Sequence, residues 1–103
     1  MIEKLLASEF PGRDELRLQL DSITAVEIDD DGSLSLQGGS ASPSSLKYLW
    51  PPEGECRDED GVMIHVLLHV KSGTLHELEV FKDDSSNVCR RPTAESLVIR
   101  PPV

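Results

Sequence analysis

Residues 62–82 read VMIHVLLHVKSGTLHELEVFK, and the remainder of the chain is organised around them. Val62, Ile64, Val66, Leu68 and Val70 alternate with Met63, His65, Leu67, His69 and Lys71. Side chains alternate across a strand, so the first set forms a continuous β-branched and aliphatic face. In the second half His76, Leu78 and Val80 fall on one side, and Leu75, Glu77, Glu79 and Phe81 on the other. Two strands joined by a tight turn follow from this pattern.

The loop decides which faces meet. An even loop at Ser72-Gly73 places Glu77 and Glu79 beside Leu68 and Val66. A three-residue loop, Lys71-Ser72-Gly73, sets Val66 opposite Leu78 and Ile64 opposite Val80. A slip of one residue moves every side chain to the other face, so hydrophobic matching selects the odd loop, with Gly73 left-handed in a bulged turn. The second face then carries His65, Leu67 and His69 beside Glu77, Glu79 and Phe81, with His65 across from Glu79. This half-polar, titratable face is the candidate working surface.

At 103 residues the chain makes one domain, residues 1–103. A chain of this size buries roughly 60–65% of its unfolded surface, enough for one core without a disulfide or metal. That core is modest, with 38% hydrophobic residues and four aromatics (Phe10, Tyr48, Trp50, Phe81). Nineteen acidic residues against ten basic give a net charge of −9. Such a surface repels phosphate backbones and anionic lipid and attracts basic proteins, so neither nucleic acid nor membrane is an expected partner. The N-terminus lacks the apolar core of a signal peptide, and no apolar run approaches the ~18 residues of a membrane span. Cys56 and Cys89, with no secretion signal, read as free thiols. The expected compartment is the cytoplasm.

Outward from the central hairpin, residues 2–8 and 12–20 read as short helices interrupted by Phe10-Pro11-Gly12. Asp14 and Glu15 suit the positive end of the second helix, although Leu16, Leu18 and Leu20 also alternate as a strand would. Residues 23–28 and 33–37 flank Asp29-Asp30-Asp31-Gly32, a hairpin signal. The small-residue tract 38–45 reads as a surface loop. Residues 46–50 bring Tyr48 or Trp50 to the core before Pro51-Pro52. Residues 55–58 read as an edge strand, 83–92 as polar loop, and 97–100 as a last short strand ended by Pro101-Pro102. The expected fold is α+β: an antiparallel sheet of about five strands with one or two N-terminal helices packed on one face.

The aspartate runs do not make a calcium loop. With glycine at position six of an EF-hand, position twelve falls on Gly38 or Leu67, and neither side chain can ligate. His65, His69 and His76 with Glu77 and Glu79 contain metal-ligand types, but His65 and His69 on one strand lie ~13 Å apart. A cross-strand pair such as His65 with Glu79 lacks a third partner, so solvated pairing is expected and neither metal nor other cofactor. No nucleophile signature surrounds Cys56 or Cys89, and Gly38-Gly39 is followed by no lysine that would make a phosphate loop.

FPGRDEL (10–16) with QL (19–20), DGSLSL (31–36) and DGVMIHVLLHVKSGTLHELEVFKDD (60–84) resembles a family of short bacterial proteins of unknown function. The resemblance covers most of the chain outside 38–53 and supplies no catalytic residues. In size and charge alone the chain is similar to immunity proteins that neutralise bacterial toxins.

The expectation is a small acidic, non-enzymatic protein-binding module, an immunity-type inhibitor of a basic toxin or nuclease. Its acids cluster in loops beside the central hairpin. Asp58, Glu59, Asp60, Glu77, Glu79, Asp83 and Asp84 are the expected contact residues, with Trp50 or Phe81 as aromatic anchor. One alternative is a small-ligand or metal-binding protein or enzyme using His65, His69, Glu79 and Cys56. The other is a self-associating subunit pairing through an exposed strand edge; monomer and homodimer both stay open.

Overall fold

In the computed structural model the 62–82 stretch forms two paired nine-residue strands, β4 (Met63–Lys71) and β5 (Thr74–Lys82). The structure describes residues 1–7, 12–38 and 53–100. The expectations for Phe10-Pro11, the 39–45 tract, the 46–50 segment with Tyr48 and Trp50, and the proline stops at 51–52 and 101–102 lie outside them.

The hairpin departs from the expected loop. Ser72 (φ 53°) and Gly73 (φ 76°) are both left-handed, and Lys71 pairs Thr74 across a two-residue turn. Such turns match the right-handed twist of the flanking strands. A bulge then corrects the parity: Val70 faces Leu75 but His69 faces Glu77, so His76 is the extra residue. Leu75 therefore joins the core side at 2% exposure instead of the glutamate side, while His76 points to solvent. Beyond the bulge Leu68 faces Leu78 and Val66 faces Val80, two residues from the expected register, and His65 faces Phe81, not Glu79.

Four further strands complete an antiparallel six-stranded sheet. They are β1 (Thr24–Glu27), β2 (Leu34–Gln37), β3 (Glu53–Arg57) and β6 (Val98–Arg100), and the order is β1-β2-β5-β4-β3-β6. The aspartate turn joins β1 to β2 as expected; Asp29 Oδ1 accepts from the Asp31 and Ser33 amides, and Gly32 takes φ 103°. The expected edge strand at 55–58 is instead the interior strand β3, starting at Glu53 and held by β4 on one side and β6 on the other. Leu97 lies directly over Gly54, where a Cβ would come within 3.1 Å of its side chain. The edges are β1 and β6.

Two short helices, α1 (Ile2–Leu5) and α2 (Arg13–Gln19), precede the sheet, so the fold is mostly β with some helix. The strand alternative for 12–20 is excluded: Leu16 is fully buried while Leu18 is 64% exposed, a split that helical spacing produces and strand alternation does not. Leu5, Leu6 and Leu16 belong to one buried cluster with Leu36, Ile64, Val66, Leu68, Leu75, Leu78, Val80 and Leu97. Each such side chain contributes about 1.5–3 kcal/mol through removal from water. No helix among the described residues is long and apolar enough to cross a membrane.

Candidate functional site: the histidine–carboxylate face of the sheet

Because Ile64, Val66 and Leu68 turn into the core, the alternate residues of β4 must turn outward, and the registers of the neighbouring strands assemble the other face in rows. One row runs Val26, Ser35, Glu77, His69. The next runs Glu79, Leu67, Glu53, Arg100, and the third Phe81, His65, Glu55, Val98. The bulge places Glu77 and Glu79 here although the turn alone would have sent them inward. Leu67 and Phe81 thus lie among four glutamates, with Val26 (45% exposed) and Val98 (65%) at the two edges.

Each of the two histidines on this face, His65 and His69, has its own carboxylates. The ring of His65 stacks on Phe81 at 5.2 Å between centroids and 23° between planes. Its Nε2 pairs with Asp83, and its Nδ1 lies 3.9 Å from Glu55. Arg100 holds Glu55 at 2.6 Å, and that hydrogen bond keeps the Glu55 carboxyl below its usual range. His69 Nε2 lies 2.8 Å from Glu79 Oε1; a carboxylate can only accept, so Nε2 carries the proton. Both of these side chains stay about 40% exposed.

The acids beside the hairpin divide into two groups. Asp58 is buried at 6% exposure, which removes it from the expected contact surface. Its Oδ1 accepts from the Glu59 and Arg90 amides and its Oδ2 from the Cys89 amide, and Lys82 Nζ lies 3.0 Å away. Asp60 bridges the same ammonium. Burial alone would raise the Asp58 carboxyl, but these amides and the ammonium overcome it and hold the group well below the carboxylate range. The Asp60 hydrogen bond leads in raising Lys82, against desolvation, so the lysine stays charged although buried. Asp58 and Asp60 thus serve the fold. Asp84 caps a turn by accepting from the Ser86 amide and hydroxyl. Glu59, Glu77, Glu79, Asp83 and Phe81 keep exposed or half-exposed side chains, and Trp50 lies outside the described residues.

A cysteine–histidine pair is not assembled. Cys56 faces Ile64 on the core side of the sheet and is therefore turned away from His65. The Cys89 thiol is pushed up, first by desolvation and then by Asp58, which keeps it protonated. Among the described residues two sets of three metal-ligand types do converge. In Asp58, Asp60 and Cys89 the centre already holds the Lys82 ammonium, whereas His69, Glu77 and Glu79 contain no such cation.

Neither alternation, charge nor spacing marks the roles of several residues of this architecture. Gln19, on the nominally polar side of α2, is completely buried; its Nε2 donates to Gly73 O at 2.9 Å and its Oε1 accepts from Leu75 N at 2.8 Å. Ser33 extends the β2–β5 ladder with its hydroxyl, which accepts from Val80 N and donates to Val80 O. Glu53, Glu55 and Arg100 reach the open face only because β3 lies inside the sheet, a placement for which 53–57 alone carries no signal.

Residues 1–92 match the family described as a domain of unknown function (DUF6984). No curated protein and no solved structure matches the chain.

Proposed function

The chain belongs to that family of unknown function, and we propose that it is a non-enzymatic binding module that captures a basic protein on its open sheet face, as an immunity-type inhibitor of a cationic toxin or nuclease does. The observation that carries this reading is the composition of that face: apolar Leu67 and Phe81 lie among Glu53, Glu77 and Glu79, with Glu55 paired to Arg100 beside them. Hydrophobic centre with charged rim is the anatomy of a protein interface. In this reading the two helices cover the Ile64–Val66–Leu68 face and leave the opposite one to the partner. A net charge of −9 steers a basic protein toward that face, and the exposed carboxylates supply register. The location is an aqueous compartment, the cytoplasm, and the protein acts without a catalytic step.

The test is capture from a lysate of the source organism at low and at high salt, repeated with the E77K/E79K variant. One basic protein, retained at low salt, lost at high salt and lost by the variant, supports the reading. A retained set of proteins unchanged by salt or by the variant counts against it.

A further inference from the structure

We propose that His69, Glu77 and Glu79 form a binding site for a divalent transition-metal ion of the Zn²⁺ class. The inference goes beyond the protein-binding reading and needs no partner. One ligand atom from each residue lies within 4.8 Å of the other two. Zn–N and Zn–O bonds of about 2.0–2.2 Å put donors on a tetrahedral ion ~3.4 Å apart, a spacing these side chains reach by small rotations. His69 and Glu77 are direct cross-strand partners, and Glu79 sits on the same face two residues along.

The local backbone explains why three donors meet where spacing along one strand forbids it. Without the bulge at His69/Val70, the two-residue turn would place the glutamates on the core side. With it, they are brought over to His69 on the solvent side. Bulges re-aim side chains in this manner.

Charge points the same way. Among the described residues no lysine or arginine bridges Glu77 or Glu79. Two neighbouring carboxylates on one sheet face repel each other, in a chain already at −9, and a divalent ion cancels both charges. The imidazole selects Zn²⁺, Co²⁺ or Ni²⁺ over Mg²⁺ and Ca²⁺, which take oxygen donors. In the metal-free state the Nε2 proton is donated to Glu79; on binding, Nε2 becomes the ligand and the ring keeps its one proton on Nδ1. Three protein donors leave a position for water or for a ligand atom from outside.

The experiment is titration of the tag-free, chelator-stripped full chain with ZnCl₂ by calorimetry, with ring-nitrogen NMR of the three histidines in parallel. One equivalent of Zn²⁺ with a shifted His69 Nε2 resonance is expected. H69A and E77Q/E79Q, both at exposed or half-exposed positions and checked for folding by circular dichroism, are expected to weaken binding by more than about tenfold. No saturable Zn²⁺ uptake overturns the proposal, as does wild-type affinity in either variant. So does a wild-type titration that shifts His65 or His76 in place of His69, a result that stands even if a variant misfolds.

Discussion

Lys82 Nζ lies 3.0 Å from Asp58 Oδ2, with both side chains fully withdrawn from solvent, where the end of β5 meets the Asp58–Asp60 turn that enters β4. The face of β5 that carries Leu78 and Val80 into the core thus ends in a buried charge held by Asp58 and Asp60, and Asp58 in turn accepts from the Cys89 and Arg90 amides. Removing the cation leaves a buried carboxylate without its counter-charge, an error costlier than loss of the pair. K82M is expected to lower Tm by more than ~10 °C. Thermal unfolding by circular dichroism measures it; an unchanged Tm contradicts the role assigned to the pair.

The same pair sets a pH window. Asp58 titrates below its ordinary 3.8 in the fold, so its stabilisation is complete above that pH and disappears as pH falls through the folded value. Lys82 titrates above its ordinary 10.5, so its contribution is complete below that pH and disappears as pH rises through the folded value. Urea unfolding midpoints across pH should show a wide neutral plateau. In D58N the decline below about pH 4 should be shallower than in wild type. An identical acid limb in D58N would place the titration elsewhere.

Gln19 ties α2 to the turn of the central hairpin by two hydrogen bonds that span more than fifty residues. Q19L keeps a similar size but orphans the Gly73 carbonyl and the Leu75 amide, each at about 1–3 kcal/mol. A loss of about 2–4 kcal/mol in chemical unfolding is expected. A loss under 0.5 kcal/mol would mean that water replaces the glutamine at no cost.

Ser72 holds a left-handed conformation without being glycine. S72N supplies a residue that adopts it readily and is expected to stabilise by up to about 1 kcal/mol, whereas the β-branched S72V should destabilise by a similar amount. The two variants moving in the same direction would refute the two-residue turn.

How far the sequence carried the fold is clearest at β4 and β5. Alternation along 62–70 identified the buried set Ile64, Val66 and Leu68, because a strand between two others must sort its side chains by face. It misassigned Leu75, since a bulge shifts parity at one residue and leaves as its only trace the three-residue step from Leu75 to Leu78. Asp58 and Lys82 were legible only as charges; their burial depends on a contact between β5 and the Asp58–Asp60 turn that no local pattern encodes. The open face was partly legible: His65, His69, Glu77, Glu79 and Phe81 share it as alternation implied. The partners within it were not, because register across strands depends on the turn and the bulge together.

The most direct test of the binding face compares two double charge reversals with the same change in net charge. With the captured basic partner purified and a chelator present throughout, association rates are measured for wild type, E77K/E79K and E3K/E95K. Glu3 (86% exposed side chain) and Glu95 are exposed residues outside the open face. E77K/E79K is expected to slow association by about tenfold or more at low salt, while E3K/E95K stays within about twofold of wild type. Equal slowing by both variants would mean that net charge alone attracts the partner, and would contradict the assignment of binding to this face.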